Sequence, residues 1–190
     1  MPHIRVSRPN LRGFALVELL IVMVLIGILV AIAYPSIASS RWSAEAAMLQ
    51  VGTTLQSAQR EAVSRQHDVV IQFDAANSRM RIIYDANGNG AADGGERVRG
   101  VSLERHVVFG RGGAPARPFG AGPVTLSDGS QTLVFHRNGS ASASGGLYLT
   151  SSRAAAGEAK RIRDARAVEI VRSTGRVEWF RYVDTWLRGF

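Results

Sequence analysis

The sequence predicts an α+β protein, with one long N-terminal helix followed by an antiparallel β-rich globular head. Three observations predict it. An apolar run over residues 19–33 lies near the N-terminus, and a helix-friendly stretch rich in Ala, Gln, Glu, Arg and Leu follows it to about residue 65. From residue 67 onward, short β-branched and aromatic segments alternate with Gly-, Asn- and Ser-rich turns. Helix at one end and strands at the other is the α+β pattern, not the alternation of a parallel α/β fold.

The first part of the helix is suited to a membrane. Between Phe14 and Tyr34 the sole charged residue is Glu18, and no proline occurs before Pro35. Those twenty-one residues make a helix of about 30 Å, the thickness of a bilayer's hydrocarbon core. Arg5, Arg8 and Arg12 precede the run with no acidic residue among them, which places the N-terminus on the cytoplasmic side. Glu18 is the anomaly. A carboxylate at membrane depth costs about 3 kcal/mol, so it calls for a function and a counter-charge.

Gly13-Phe14-x-Leu16-x-Glu18 behind a short basic leader resembles the class III signal of type IV pilins and pseudopilins. The resemblance implies a leader over residues 1–13, cut by a prepilin peptidase between Gly13 and Phe14, and N-methylation of the new first residue, Phe14. It implies that Glu18, at the family's fifth mature position, meets the N-terminal amine of a neighbouring subunit and sets register during assembly. Pro35 also matches a proline common in such stems. An alternative reading takes Ser36-Ile37-Ala38 as a small-x-small site, from which a signal peptidase releases a soluble protein after Ala38.

The expected organisation is a transmembrane stem over residues 14–35, an amphipathic continuation over 36–66 and a head over 67–190. In the continuation, Ile37, Met48, Val51, Leu55, Ala58, Ala62 and Val63 recur at helical steps and predict one apolar face, with Arg41, Glu45, Gln56, Gln59 and Arg60 on the others. Strands are predicted over 68–74, 79–84, 97–103, 106–109, 124–126, 131–136, 147–150, 167–171 and 176–182. Residues 110–123 hold five Gly and three Pro with no periodicity, which predicts a surface loop. Residues 151–166 are polar and basic, with partial helix expected. The Phe135-x-x-x-Gly139 turn and the Val171-x-x-x-Gly175-Arg176 hairpin resemble the GspH/FimT branch of the pseudopilins. That resemblance implies a pilin-like head and a minor pseudopilin of type II secretion. The implied partners are other pseudopilins or pilins in a filament, the prepilin peptidase, an inner-membrane assembly platform and inner-membrane lipid. The alternative is a FimT-like minor pilin acting in pilus biogenesis or DNA uptake.

Composition narrows the chemistry. There is no cysteine, so an extracytoplasmic domain must hold together by its core, with or without a metal. No nucleophile elbow, H-E-x-x-H, P-loop or dinucleotide fingerprint is present, and His3, His67, His106 and His136 are scattered, so no enzyme is predicted. The net charge is +8, with its densest basic stretch at Arg153, Lys160, Arg161, Arg163 and Arg166. With Trp179, Phe180 and Tyr182 as stacking faces, that stretch is the nucleic-acid candidate of the alternative reading, although Glu158, Asp164 and Glu169 interleave.

One loop has metal-ligand spacing. Asp85, Asn87, Asn89, Asp93 and Glu96 carry oxygens at loop positions 1, 3, 5, 9 and 12, with Gly90 at 6 and the Ala91 carbonyl at 7. That is the calcium-loop spacing of an EF-hand. The flanks are strands, however, and Asn-Gly-Asn-Gly is also what a hairpin turn favours. Calcium clip and plain turn both stand as expectations.

Overall fold

The computed structural model describes residues 16–90 and 93–189, with backbone alone over 31–41. Helix α1, Leu16–Arg65, is fifty residues long and includes Pro35. The chain divides into two compact units, Met1–Ala38 and Ser39–Phe190.

In the first unit every described side chain, from Leu16 to Val30, is exposed. Among the described residues no helix is long and apolar enough to cross a membrane.

In the second unit, α1 buries Ala44, Ala47, Met48, Val51, Leu55, Ala58 and Ala62, at the steps of three and four that line one helix face. Val63, expected on that face, is exposed instead. It lies about 100° around the helix from Ala62, past the edge of the seam. Ile37 falls outside the described side chains. Ala44 and Ala47 extend the seam with small residues, which allow close approach of the sheets.

The strands form two antiparallel sheets. The first has the order β3-β2-β1-β6, built from β1 Asp68–Asp74, β2 Arg79–Asp85, β3 Arg97–Ser102 and β6 Thr132–Phe135. The second has the order β10-β9-β8-β7-β4, with β5 also paired to β7. Its strands are β4 Val107–Phe109, β5 Val124–Leu126, β7 Gly145–Ser151, β8 Arg166–Val171, β9 Arg176–Val183 and β10 Thr185–Arg188. The period of two puts Val69, Ile71 and Phe73 opposite Tyr84, Ile82 and Met80, all facing one core. That core joins the α1 seam to Leu133 and Phe135 of the first sheet and Leu147, Leu149, Val168 and Ile170 of the second. β10 was not predicted; three of its four residues are exposed and none is buried, so it carries no alternation.

Residues 110–123 form the surface loop expected, with Ala114 alone buried, but the loop is not free of the core. They pack over the far face of the second sheet, where Tyr148, Ala167 and Phe180 form a separate apolar cluster with Phe119 and Trp186. The fully buried Tyr148 hydroxyl accepts the Arg117 N–H at 2.6 Å and donates to the Gly120 carbonyl at 2.7 Å. The Arg117 guanidinium lies 3.4 Å from the Phe180 ring centroid and bonds Glu169 at 2.7 Å. Trp186 Nε1 donates to the Pro115 carbonyl at 2.9 Å. A few long side chains hold this segment, and periodicity does not register them.

Candidate functional site

The functional residues expected at the N-terminus divide between described and undescribed positions. Gly13 and Phe14 lie outside the described residues. Glu18 is in the first described turn of α1, exposed among exposed Leu16, Val17, Leu19 and Leu20. A helix surface so uniformly apolar needs lipid or other helices to cover it.

Within the second unit, α1 is tied to the sheets by polar side chains that periodicity had placed on outward faces. Gln59 Nε2 donates to the carbonyls of Gly139 at 2.9 Å and Thr174 at 2.7 Å, clasping the two turns beyond β6 and β8. Gly175 sits there with φ +62°, and a side chain on it would run into the Gly139 carbonyl and Gln59. Glu45 accepts from Arg166 Nε at 2.8 Å. The only sequence signal for either residue is its place beside the apolar seam. At the start of β1, Asp68 binds His136 Nδ1 at 2.8 Å and accepts the Arg137 N–H at 3.1 Å. Burial by itself would raise the Asp68 carboxyl; the His136 and Arg137 bonds outweigh it and hold the group below the usual carboxylate value.

The basic stretch that the alternative reading assigns to nucleic acid divides between buried and exposed positions. Residues Ser152–Ala155 form a short helix, α2, and Ala159–Asp164 a 3₁₀ helix. Ser151 Oγ accepts the Ala154 N–H and donates to Asp164 at 2.7 Å. Arg166 is 3% exposed; its Nη1 donates to the carbonyls of Arg163 and Ala165, and its Nε is bound to Glu45. Arg163 pairs with Asp184 at 2.8 Å, and Arg161 lies 3.9 Å from Glu158. Lys160 is exposed. Phe180 and Tyr182 are buried, and Trp179 packs against the main core. Interleaved acids and core packing thus consume most of the charge and stacking faces that the sequence had suggested for phosphate and base contact.

In the loop after β2, Asp85 is 2% exposed. Its Oδ1 accepts the N–H groups of Gly88 and Asn89, and its Oδ2 accepts that of Gly90. Glu96 accepts the N–H groups of Ala86 and Asp93 through its two oxygens. Asn87 and Asn89 donate to Asp93 Oδ2. Ala91 lies outside the described residues. Among the described residues no group of three or more His, Asp or Glu side chains is placed to hold a metal ion. The carboxylates here close the turn on itself.

Residues 47–174, more than half of the chain, match the family described as Type II transport protein GspH. The chain belongs to the GspH family. Residues 8–34 match the prokaryotic N-terminal methylation motif, a span that includes Gly13, Phe14 and Glu18. Among solved structures, the minor pseudopilin EpsH from the type 2 secretion system of Vibrio cholerae is similar at 13% identity, over 77% of this chain and 97% of that one, with a TM-score of 0.47. No curated protein matches. As a GspH-family member the chain is a minor pseudopilin of type II secretion, a structural subunit that assembles with other pseudopilins. Its methylation motif is that of a membrane-anchored N-terminus.

Proposed function

We propose that this GspH-family chain is inserted once in the bacterial inner membrane, with its N-terminus cytoplasmic and its head periplasmic. After cleavage between Gly13 and Phe14 and methylation of Phe14, it enters the pseudopilus that moves folded proteins outward. One observation carries the reading: the methylation motif over residues 8–34 overlaps the start of α1, whose described apolar side chains from Leu16 to Val30 are all exposed. The apolar stem provides packing first with lipid and then with other stems. Glu18 neutralises the N-terminal amine of a neighbouring subunit, and a buried polar pair of that kind specifies axial register at some cost in stability. The prepilin peptidase and an inner-membrane platform are the partners this route requires. No step calls for catalysis by the chain itself.

Intact-mass and N-terminal peptide analysis of the membrane-extracted protein tests the processing. The expected mature chain begins at methylated Phe14; one beginning at Ser39 overturns the pseudopilin route in favour of a secreted protein. Glu18→Ala makes the helix more apolar, so insertion and cleavage are expected to persist while co-assembly with other pseudopilins is lost. Normal incorporation of that variant removes the role given to Glu18.

A further inference from the structure

The two edges of the first sheet end differently. On the β6 side Ser142 closes the edge: its N–H donates to the Val134 carbonyl and its hydroxyl accepts the Val134 N–H. On the other side β3 pairs with β2 alone. The Leu103 N–H donates to the Ser78 carbonyl, and the register sets Val101, Arg99 and Arg97 opposite Met80, Ile82 and Tyr84. Alternate residues of an antiparallel strand turn their backbone groups the same way. Arg97, Arg99 and Val101 therefore face β2, and Val98, Gly100 and Ser102 direct their N–H and C=O groups outward. Among the described residues nothing bonds those outward groups. The strand is exposed at every position except Val101.

Open edges are commonly guarded by charge, and here the guard has one sign. Arg97 lies over the Tyr84 ring, 4.8 Å from its centroid, and 3.5 Å from Glu61, which Arg65 also engages at 3.0 Å. Its side chain is still 60% exposed. Arg99 is exposed and forms no ion pair among the described residues. Of the acids at the strand ends, Glu96 holds the preceding loop, and Glu104 is followed by Arg105. A second copy is a poor match for this edge, because β3 against β3 brings arginines against arginines. The chain's own residues 1–15 fit no better, since they hold Arg5, Arg8 and Arg12 and no acid.

We propose that the β3 edge accepts one added strand from an acidic partner protein, an extended segment in which acidic and apolar residues alternate. Its acids would lie opposite Arg97 and Arg99. A β-branched residue would lie opposite Val98, which is 42% exposed, and a bulky one over Gly100, where a side chain meets open space. Main-chain bonds to Val98, Gly100 and Ser102 supply affinity, and the two arginines select the sequence. Every residue involved belongs to the Ser39–Phe190 unit, so the proposal stands apart from how the N-terminus is anchored.

The test titrates the full chain, in detergent, into a labelled peptide that alternates Glu with Val and Tyr, and reads fluorescence anisotropy. One control peptide has the same composition with its glutamates gathered at one end; a second carries Lys in place of Glu. The alternating acidic peptide is expected to bind at least about fivefold more tightly than either control and to slow amide exchange at Val98, Gly100 and Ser102. Gly100→Pro removes an outward N–H while leaving the ladder to β2 intact. It should keep the melting temperature and bind about fivefold more weakly. Arg99→Glu should shift the preference toward the Lys peptide, a gain that misfolding cannot produce. Equal binding of the alternating and gathered acidic peptides would reduce the effect to general attraction by the net charge and overturn the proposal. Binding that leaves exchange at β3 unchanged would overturn it too. Self-association of the chain that protects the same amides without peptide would assign the edge to a second copy instead.

Discussion

At the scale of single residues, Gly52 sets how closely the helix approaches the second sheet. A methyl group there would overlap the Trp179 indole, whose Nε1 is buried without a hydrogen-bond partner. Helix propensity by itself favours alanine over glycine by about 0.5 to 1 kcal/mol. Overpacking a filled site costs about 1 to 3 kcal/mol, so Gly52→Ala is expected to lower the melting temperature. An unchanged or higher value would mean that the indole moves aside freely. Asp68 makes a second residue-scale prediction. Its carboxyl is held below the ordinary value of 3.8, so its contribution is fully present above that pH and is lost as pH falls through the folded value. Thermal melts taken from about pH 5 down to about pH 2 should therefore steepen in the wild type and flatten in Asp68→Asn. Identical acid limbs would show that the His136–Asp68 contact does not contribute.

At the scale of elements, the loop after β2 is held by two carboxylates acting as acceptors for five backbone N–H groups. Asp85→Ala leaves the N–H groups of Gly88 and Gly90 without their acceptor, while that of Asn89 keeps Asn87 Oδ1, an expected loss of about 1 to 3 kcal/mol in a thermal melt. A calcium ion at the positions read from the sequence would compete for the same oxygens. The melting temperature is accordingly expected to be indifferent to calcium and to chelator. A calcium-dependent rise abolished by Glu96→Gln would establish the clip. The segment over residues 110–123 obeys the same logic: long side chains, Arg117 and Phe119, fix a stretch that has no regular hydrogen-bond ladder over most of its length.

At the scale of the whole molecule, the net charge of +8 gives general attraction to polyanions without a built phosphate site. Binding of duplex DNA by the full chain in detergent should be weak and should fall steeply with salt. Tight, salt-resistant binding lost in Lys160→Gln would favour the DNA-uptake pilin over the secretion subunit. Arg166 is unsuited to that test. Removing it would leave a gap where a 3% exposed side chain stood and would free the carbonyls of Arg163 and Ala165 and the partly exposed Glu45 of their partner, so folding would be confounded with binding.

The sequence by itself determined what is local. The apolar run around Glu18, the amphipathic seam through Met48, Val51, Leu55, Ala58 and Ala62, and the alternation in β1 and β2 are carried by periods of 3.6 and 2, which a single strip of chain displays. Gly139 and Gly175 were legible as turn positions because positive φ favours glycine. The tertiary structure decided how the polar residues are used. Glu45 meets Arg166 across 121 residues, Gln59 meets Thr174 across 115, and Arg117 meets Glu169 across 52. Spacing along the chain carries no trace of such pairs. Of the arginines that read as one cluster, Arg166 was therefore buried against Glu45 and Arg163 paired with Asp184 only when the sheets closed around the helix, because a charge is buried only where folding brings its partner.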